Sequence, residues 1–381
     1  MLDYKMKLLF VIGGLQGGGA ERFLSILCNE LSERRHEVIL VYNTRYKEYY
    51  VSPKVREIDT YTFQVNTFEG NFIKRYYNKI MNRFRDFFFF RKFIKEEKPD
   101  VVISFLMNWA IPLYLICHNK IPLVFSHRST IKRKLSSFTA RFVKAYIYPR
   151  ADMVTLMSYY DQAYLRDELP NTIVLQNPVS CQPISKEEFW ELFPKRKNLL
   201  ACGRLIEVKG FDMLINAFAK LADKYPDWDL DILGQDLRNS NYSQYLKNLT
   251  RELNIENRVH FLGFHKNVYE VMKSHSVFCL SSRYEGFPNS LAEAMAMGMA
   301  TVSFDVTTGP RDIIIDGLDG LIVKNQDIRA LAGGIETLIL DQDKRKEFGL
   351  RAIDNIKRFN LDCMVTKWER MLADVSSKAK H

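Results

Sequence analysis

Lys7-Leu-Leu-Phe-Val-Ile12, Gly13-Gly-Leu-Gln-Gly-Gly-Gly-Ala-Glu-Arg22 and Glu37-Val-Ile-Leu-Val-Tyr42 decide the fold between them. The first and last are apolar at successive positions, as strands covered on both faces of a parallel sheet are. Between them Phe23, Leu24, Leu27 and Leu31 recur at helical spacing and predict a helix over Glu21–Arg34. Strand, glycine turn, helix and strand make a right-handed crossover unit, which only a parallel sheet accommodates.

The pattern continues outward. Asp100-Val-Val-Ile-Ser-Phe105 and Pro122-Leu-Val-Phe-Ser126 read as further strands, and Val174-Leu-Gln-Asn-Pro-Val179 as a strand ending in a turn. A second series starts at Lys197-Asn-Leu-Leu-Ala-Cys202. It goes on through Asp229–Leu233, Val259–Leu262, Val277–Leu280, Ala300–Ser303 and Gly320–Val323. Alternating strands and helices in both halves of a 381-residue chain predict an α/β protein of two doubly wound, Rossmann-like domains. We place them at residues 1–178 and 179–362. Residues 363–381 form a tail helix, with Met364, Trp368, Met371 and Leu372 on one face, that packs back on the N-terminal domain. Ligands in such sheets bind beyond the carboxyl ends of the strands, here in a cleft across which the domains face.

Composition narrows the partners. Six cysteines (Cys28, Cys117, Cys181, Cys202, Cys279 and Cys363) are scattered without metal-like spacing and suit a reducing compartment. The apolar run after Lys7 stops at Gly13-Gly14, too soon for a secretory signal. Val101–Cys117 is interrupted by Asn108 and Pro112 and reads as a strand and a buried helix rather than a membrane span. The net charge of +10 lies wholly in residues 1–180. That half therefore suits an anionic partner. Residues 71–95 hold Lys74, Arg75, Lys79, Arg83, Arg85, Arg91, Lys92 and Lys95 against Asp86 alone, interleaved with aromatic residues. Such a helix suits an anionic membrane surface, and it equally suits single-stranded nucleic acid or a core-facing aromatic stripe. Arg128–Arg150 adds seven cations and no acid.

Three segments can carry chemistry. Glu285-Gly-Phe-Pro-Asn-Ser-Leu-Ala-Glu293 places two carboxylates around a helix start. Free N–H groups at a helix N-terminus take phosphate, and carboxylates accept from sugar hydroxyls. Gly203-Arg204-Leu-Ile-Glu-Val-Lys209-Gly210 follows a strand and offers a fork and a point charge to a diphosphate. The Gly13–Gly19 turn lets backbone approach a ligand, although glycine turns also serve packing alone. It holds no dinucleotide fingerprint, because Arg22 stands where the third glycine would be. His127 sits at a predicted strand end. Asp229-Leu-Asp231 alternates within a strand and is a poor metal site.

Together the Glu285-x7-Glu293 pair, Gly203-Arg204…Lys209 and the Gly-Gly-Ala-Glu turn resemble the retaining glycosyltransferases of family 4, with the GT-B fold. The resemblance covers nearly the whole chain. It implies Arg204 and Lys209 on the diphosphate of a UDP-sugar donor, Glu293 on ribose and Glu285 on the donor sugar. Backbone N–H groups of Phe287, Asn289, Ser290 and Leu291, around Pro288, would serve phosphate and sugar. It also implies Gly18 and Gly19 near the diphosphate, Phe264 near the base and His127 facing the reacting sugar. It implies catalysis by His127, Glu285, Arg204 and Lys209 without a metal or other cofactor. The basic-aromatic helix leading into Lys98-Pro-Asp-Val-Val-Ile-Ser-Phe105 is similar to bacterial enzymes that add N-acetylgalactosamine to undecaprenyl-diphosphate-linked glycans. That likeness implies a polyprenyl-diphosphate-linked saccharide acceptor. It also implies a cytoplasmic enzyme peripheral to the inner face of a bacterial plasma membrane, with no nucleic acid. The chain departs from the family at Gly234-Gln-Asp, where Gly-x-Gly is usual, and at His-Arg-Ser after Ser126. A non-hydrolysing sugar-nucleotide epimerase and a nucleic-acid-binding protein are the rival readings.

Overall fold

The computed structural model describes residues 5–16, 19–44, 46–61, 72–105, 107–128, 138–195, 197–236 and 241–378. The chain divides into two compact units, Met1–Gln176 with Asp362–His381, and Asn177–Leu361.

The first unit is built on β1 (Lys7–Val11), β2 (Glu37–Tyr42), β3 (Arg56–Asp59), β4 (Val101–Phe105), β5 (Leu123–Ser126), β6 (Met153–Leu156) and β7 (Thr172–Val174). Among the described residues these pair in the order β3-β2-β1-β4-β5-β6-β7, every pair parallel. β1 and β4 are buried along almost their whole length, as the apolar runs require. Sequence reading passes over two strands. β3, Arg-Glu-Ile-Asp, is a short polar edge strand, and β6 is only four residues, Met-Val-Thr-Leu. The segment Val174–Val179, expected as a strand ending in a turn, is strand only at Val174, and the strand starts earlier than expected. It runs from Thr172 to Val174, and beyond it only the Leu175 N–H still bonds to Leu156 O, at 2.9 Å. The run Gln176-Asn-Pro leaves the sheet, since proline has no N–H for a ladder.

The C-terminal helix, Leu361–Lys378, belongs with this unit beyond its first residue. Trp368 is fully buried, its ring stacked 5.8 Å from Phe105 and tilted against Phe23 at 5.9 Å. Arg34 donates to Glu369 Oε2 at 2.8 Å and to Thr366 Oγ1 at 2.9 Å. Glu369 Oε1 lies 3.0 Å from His36 Nε2, and the Met6 N–H donates to His36 Nδ1 at 3.2 Å. His36 therefore carries its proton on Nε2, and the buried carboxylate is held on both oxygens.

The second unit is built on β8 (Lys197–Cys202), β9 (Leu230–Leu233), β10 (Val259–Gly263), β11 (His275–Leu280), β12 (Ala300–Phe304) and β13 (Leu321–Val323). Their order among the described residues is β10-β9-β8-β11-β12-β13, again all parallel. In both sheets the order reverses beside the first strand, at β1/β4 and at β8/β11. Loops leaving neighbouring strands diverge at such a switch point and open a crevice at the carboxyl edge. β8 feeds Gly203-Arg204 and β11 feeds the segment running to Glu285. The chemistry-bearing segments of this unit thus start at the place where the topology opens a site.

Candidate functional site

The turn after β8 is shaped by glycine. Gly234 lies so close to the Gly203 carbonyl that a Cβ there would sit 1.8 Å from its oxygen. Gly210 takes φ +64°, and a Cβ on it would meet Ser281 O at 2.0 Å. A side chain at either position would collide with backbone. Between these points the chain makes a short turn at Glu207–Lys209, and the helix Phe211–Ala219 follows.

Lys209 then folds back over Gly203, its aliphatic stem 3.2 Å from where a Cβ would stand. Its ammonium donates to Glu285 Oε1 at 2.7 Å. The same oxygen accepts from Ser282 Oγ at 2.6 Å. Ser281 Oγ donates to Lys209 O at 3.0 Å, and Thr308 Oγ1 donates to Glu285 O. Arg204 is exposed and takes part in no ion pair among the described residues.

Arg283 locks the two segments together. Its guanidinium forks onto Asp212 at 2.8 and 2.6 Å and donates to Glu207 O at 2.6 Å. Its N–H donates to Val208 O at 2.8 Å. Burial pushes the Asp212 carboxyl up, and hydrogen bonds from Arg283 and Tyr242 more than reverse this, holding it below the usual carboxylate range.

Past Glu285 the helix Asn289–Ala296 begins, with Pro288 just outside it at φ −76°, ψ 86°. The sequence places Pro288 in the first turn. It stands one residue earlier, and its carbonyl accepts from Leu291 and Ala292 N–H at 3.0 and 3.2 Å. The N–H groups of Asn289 and Ser290 have no intrahelical partner, as at any helix start, and leave donors at the dipole's positive end. Asn177 Nδ2 donates to Asn289 Oδ1 at 3.0 Å. Phe287 is buried against Phe359, ring centroids 5.5 Å apart.

Glu293, one turn into the helix, is 8% exposed, and Tyr269 Oη lies 3.5 Å from its Oε1. Cys202, the last residue of β8, reports its neighbourhood. Burial first and then the Glu293 carboxylate push its thiol up, while Lys209 opposes them. Glu293 and Lys209 therefore flank the end of β8, and Cys202 stays a neutral thiol.

The structure thus gathers Arg204, Lys209, Glu285, Phe287, Pro288, Asn289, Ser290, Leu291 and Glu293 at the carboxyl edge of β8 and β11. Phe264 follows β10, two strands from β8 in the sheet order, and is 71% exposed. The Gly234-Gln-Asp departure has a structural account. Gly234 serves the close approach, while Asp236 accepts from Ser243 N–H at 3.1 Å near the start of the helix Tyr242–Glu252.

Asp229 and Asp231 are engaged elsewhere. Asp229 pairs with Arg258 at 2.6 Å and Asp231 with His275 at 2.7 Å.

In the first unit His127 directly follows β5 and is 3% exposed, its backbone N–H donating to Thr155 O at 2.9 Å and its Nδ1 lying 3.4 Å from Tyr148 Oη. Arg128 follows it, its guanidinium 4.5 Å over the Phe23 ring and donating to Leu175 O at 2.9 Å. Gly19 is the exposed first residue of the helix Gly19–Glu33. Gly18, Asn71, Lys132, Arg133 and Lys134 lie outside the described residues. Sequence reasoning missed Ser281, Ser282, Arg283, Asp212 and Thr308. Their one signal was position, since Ser281 to Arg283 directly follow a wholly buried strand.

Comparison with known proteins completes the site. Residues 17–182 match the family model Glycosyltransferase Family 4, and residues 185–354 match Glycosyl transferases group 1. The chain is 30% identical, over 98% of its length and 99% of the relative's, to a Campylobacter jejuni α-1,4-N-acetyl-D-galactosaminyltransferase. That relative's name gives its substrate as a GalNAc-containing, diNAcBac-PP-undecaprenol-linked glycan. The chain belongs to this glycosyltransferase family. A second Campylobacter jejuni enzyme, an N-acetylgalactosaminyltransferase named for a diphospho-undecaprenol-linked substrate, is 26% identical over 93% of this chain and 96% of its own. The amylovoran biosynthesis glycosyltransferase of Erwinia amylovora is 26% identical over 96% and 99%.

Among solved structures, Anabaena HepE in complex with UDP and glucose superposes with TM-score 0.75 at 20% identity, covering 97% of this chain and 99% of that one. Sucrose-phosphate synthase from Thermosynechococcus elongatus reaches 0.80 at 19%, covering 98% and 100%. At these identities the likeness speaks for the GT-B fold alone. As the sequence led us to expect, the glycosyltransferase has this fold and is a hexosyltransferase. Among its described residues no helix is long and apolar enough to cross a membrane.

Proposed function

We propose that this glycosyltransferase moves a hexose or N-acetylhexosamine, GalNAc by preference, from a UDP-sugar to a lipid-linked saccharide with retention of configuration. The observation that carries the proposal is the cluster at the β8/β11 switch point. One exposed guanidinium, one ammonium and the open N-terminus of the Asn289–Ala296 helix stand at this edge, and in this reading they take the diphosphate. Glu285 and Glu293 lie beside it as hydroxyl acceptors, one for the donor sugar and one for ribose.

In this reading the sugar–oxygen bond to the diphosphate breaks as the acceptor hydroxyl enters on the same face and passes its proton to the leaving diphosphate. Arg204, Lys209 and the helix N–H groups meet the charge developing on the leaving diphosphate. These groups supply positive charge without a metal. Neither Glu285 nor Glu293 is needed as a nucleophile, unlike the paired carboxylates of retaining glycosidases. The epimerase reading is not supported, because the glutamates of the site are taken up in binding.

The acceptor reading draws on the relatives named for undecaprenol-linked substrates and on the helix Phe72–Glu97. Its described part exposes Met81, Phe84 and Phe88 beside Arg85, Arg91, Lys92 and Lys95. Apolar rings beside cations suit the headgroup region of an anionic membrane, which makes the enzyme peripheral in this account. Incubation with a panel of UDP-sugars and polyprenyl-diphosphate-linked saccharides, read by mass spectrometry, tests the proposal. We expect the acceptor to gain one or more hexose or N-acetylhexosamine masses. Conversion of the sugar on the nucleotide without acceptor would favour the epimerase, and no donor consumed would overturn the proposal.

A further inference from the structure

We infer that Ser282 is a positioning residue that selects which oxygen of Glu285 meets the donor sugar, an inference that rests on the donor-site reading above. Ser282 is 1% exposed and lies two residues beyond β11. It has a single hydroxyl proton, and it spends it on Glu285 Oε1 at 2.6 Å. The Lys209 ammonium donates to the same Oε1 at 2.7 Å. A carboxylate oxygen has about two lone-pair sites, so Oε1 is filled and Oε2 is left to accept from a ligand. No described residue donates to Oε2.

The two donors are not equivalent. An ammonium on a flexible stem is a rotatable point charge, and the diphosphate competes for it. When Lys209 turns toward the donor, the Ser282 hydroxyl is what still fixes the carboxylate. Its neighbours make it a rigid support. Ser281 Oγ holds Lys209 O at 3.0 Å, and Arg283 binds Val208 O, Glu207 O and Asp212. Three consecutive residues thus tie the cation-bearing turn to the sugar-facing carboxylate, and the middle one acts on the carboxylate itself.

The consequence is a split between the two parts of the donor. Contacts to UDP pass through Arg204, Lys209, the helix N-terminus and Glu293, whereas Ser282 acts only through Glu285. The test is calorimetric titration of the full chain and its Ser282→Ala variant with UDP and with UDP-GalNAc, UDP-GlcNAc, UDP-galactose and UDP-glucose. For the sugar nucleotide that wild type binds tightest, Ser282→Ala should bind about tenfold more weakly, the scale of a lost hydrogen bond to a charged group. UDP itself should bind within about twofold of wild type, which also shows that the site is folded. Parallel loss of UDP and UDP-sugar affinity would overturn the inference by making Ser282 a general support of the loop, and so would unchanged affinity for both. If wild type binds UDP-sugars and only the split is missing, the inference alone fails. If wild type binds none of these nucleotides, the donor-site reading fails and takes the inference with it.

Discussion

The two units share a strand order around their switch points and differ in what stands at the carboxyl edge. At β8/β11 the edge carries Lys209, Glu285, Ser281, Ser282 and Arg283, each bonded to a neighbour at hydrogen-bond distance. At β1/β4 the described residues next to the strand ends include Ile12, Gly13, Gly14, the buried Leu15, the exposed Gln16 and Met107. The first unit exposes Arg85, Arg91, Lys92 and Lys95 on the Phe72–Glu97 helix. One fold thus offers the same crevice twice, and at β8/β11 the described side chains are built together into a polar, charged cluster.

The largest effect is expected at Lys209. Lys209→Ala removes the ammonium from the leaving diphosphate and should lower kcat by about 100- to 1000-fold, the scale of losing one transition-state donor. Its thermal unfolding should stay near wild type. A loss below tenfold would move the centre of charge stabilisation away from this edge. Next is Gly234→Ala, which forces a Cβ to within 1.8 Å of Gly203 O. Destabilisation of about 3 kcal/mol is expected in chemical unfolding. Gly14→Ala in the first unit meets nothing nearer than Asn43 O at 3.6 Å, an ordinary contact, and should be close to neutral. Equal costs at the two glycines would contradict the claim that the second edge is the more tightly built.

The double variant Arg91→Ala/Lys92→Ala reverses the comparison. It should weaken sedimentation with anionic vesicles by about 30-fold at low salt, near 1 kcal/mol per cation, and leave UDP affinity unchanged. Vesicle binding that resists both the variant and added salt would remove the membrane reading of that helix.

The smallest effect is at Arg283. With Arg283 in place the Asp212 carboxyl titrates below its usual value. The stabilisation this gives is complete above the unfolded carboxyl pKa of about 3.9 and is lost as pH falls through the lowered folded value. Arg283→Ala should therefore cost about 2 kcal/mol at pH 7, with the gap to wild type closing below about pH 4. A gap independent of pH would show that the guanidinium acts by packing alone.

How much of this was legible follows from the residues. Lys7–Val11 and Val101–Phe105 announced themselves because a strand covered on both faces has to be apolar throughout. Arg56–Asp59 did not, because a polar edge strand reads as a loop. Thr172–Val174 was read as starting two residues late, because Thr172 and Ile173 follow a turn with no apolar pattern before them, while the chain's exit from the sheet at Gln176-Asn-Pro was legible. In the site, Arg204, Lys209, Glu285 and Glu293 were readable because charges flanking glycine turns and a helix start have a recognisable chemistry. Ser282 was not, because a serine has no pattern of its own. Only a distance of 2.6 Å to a carboxylate gives it a role. His127 was readable from its place just past a buried strand, and it lies 3.4 Å from Tyr148 Oη with its backbone N–H on Thr155 O.

The central claim is that Arg204 and Lys209 hold a nucleotide diphosphate at the β8/β11 edge. Calorimetric titration of UDP into the full chain and into an Arg204→Ala/Lys209→Ala variant of unchanged thermal stability tests it most directly. The account predicts measurable binding by wild type and a loss of at least about 100-fold in the double variant, two charge-assisted contacts being removed. Equal UDP affinity in the two proteins would contradict it.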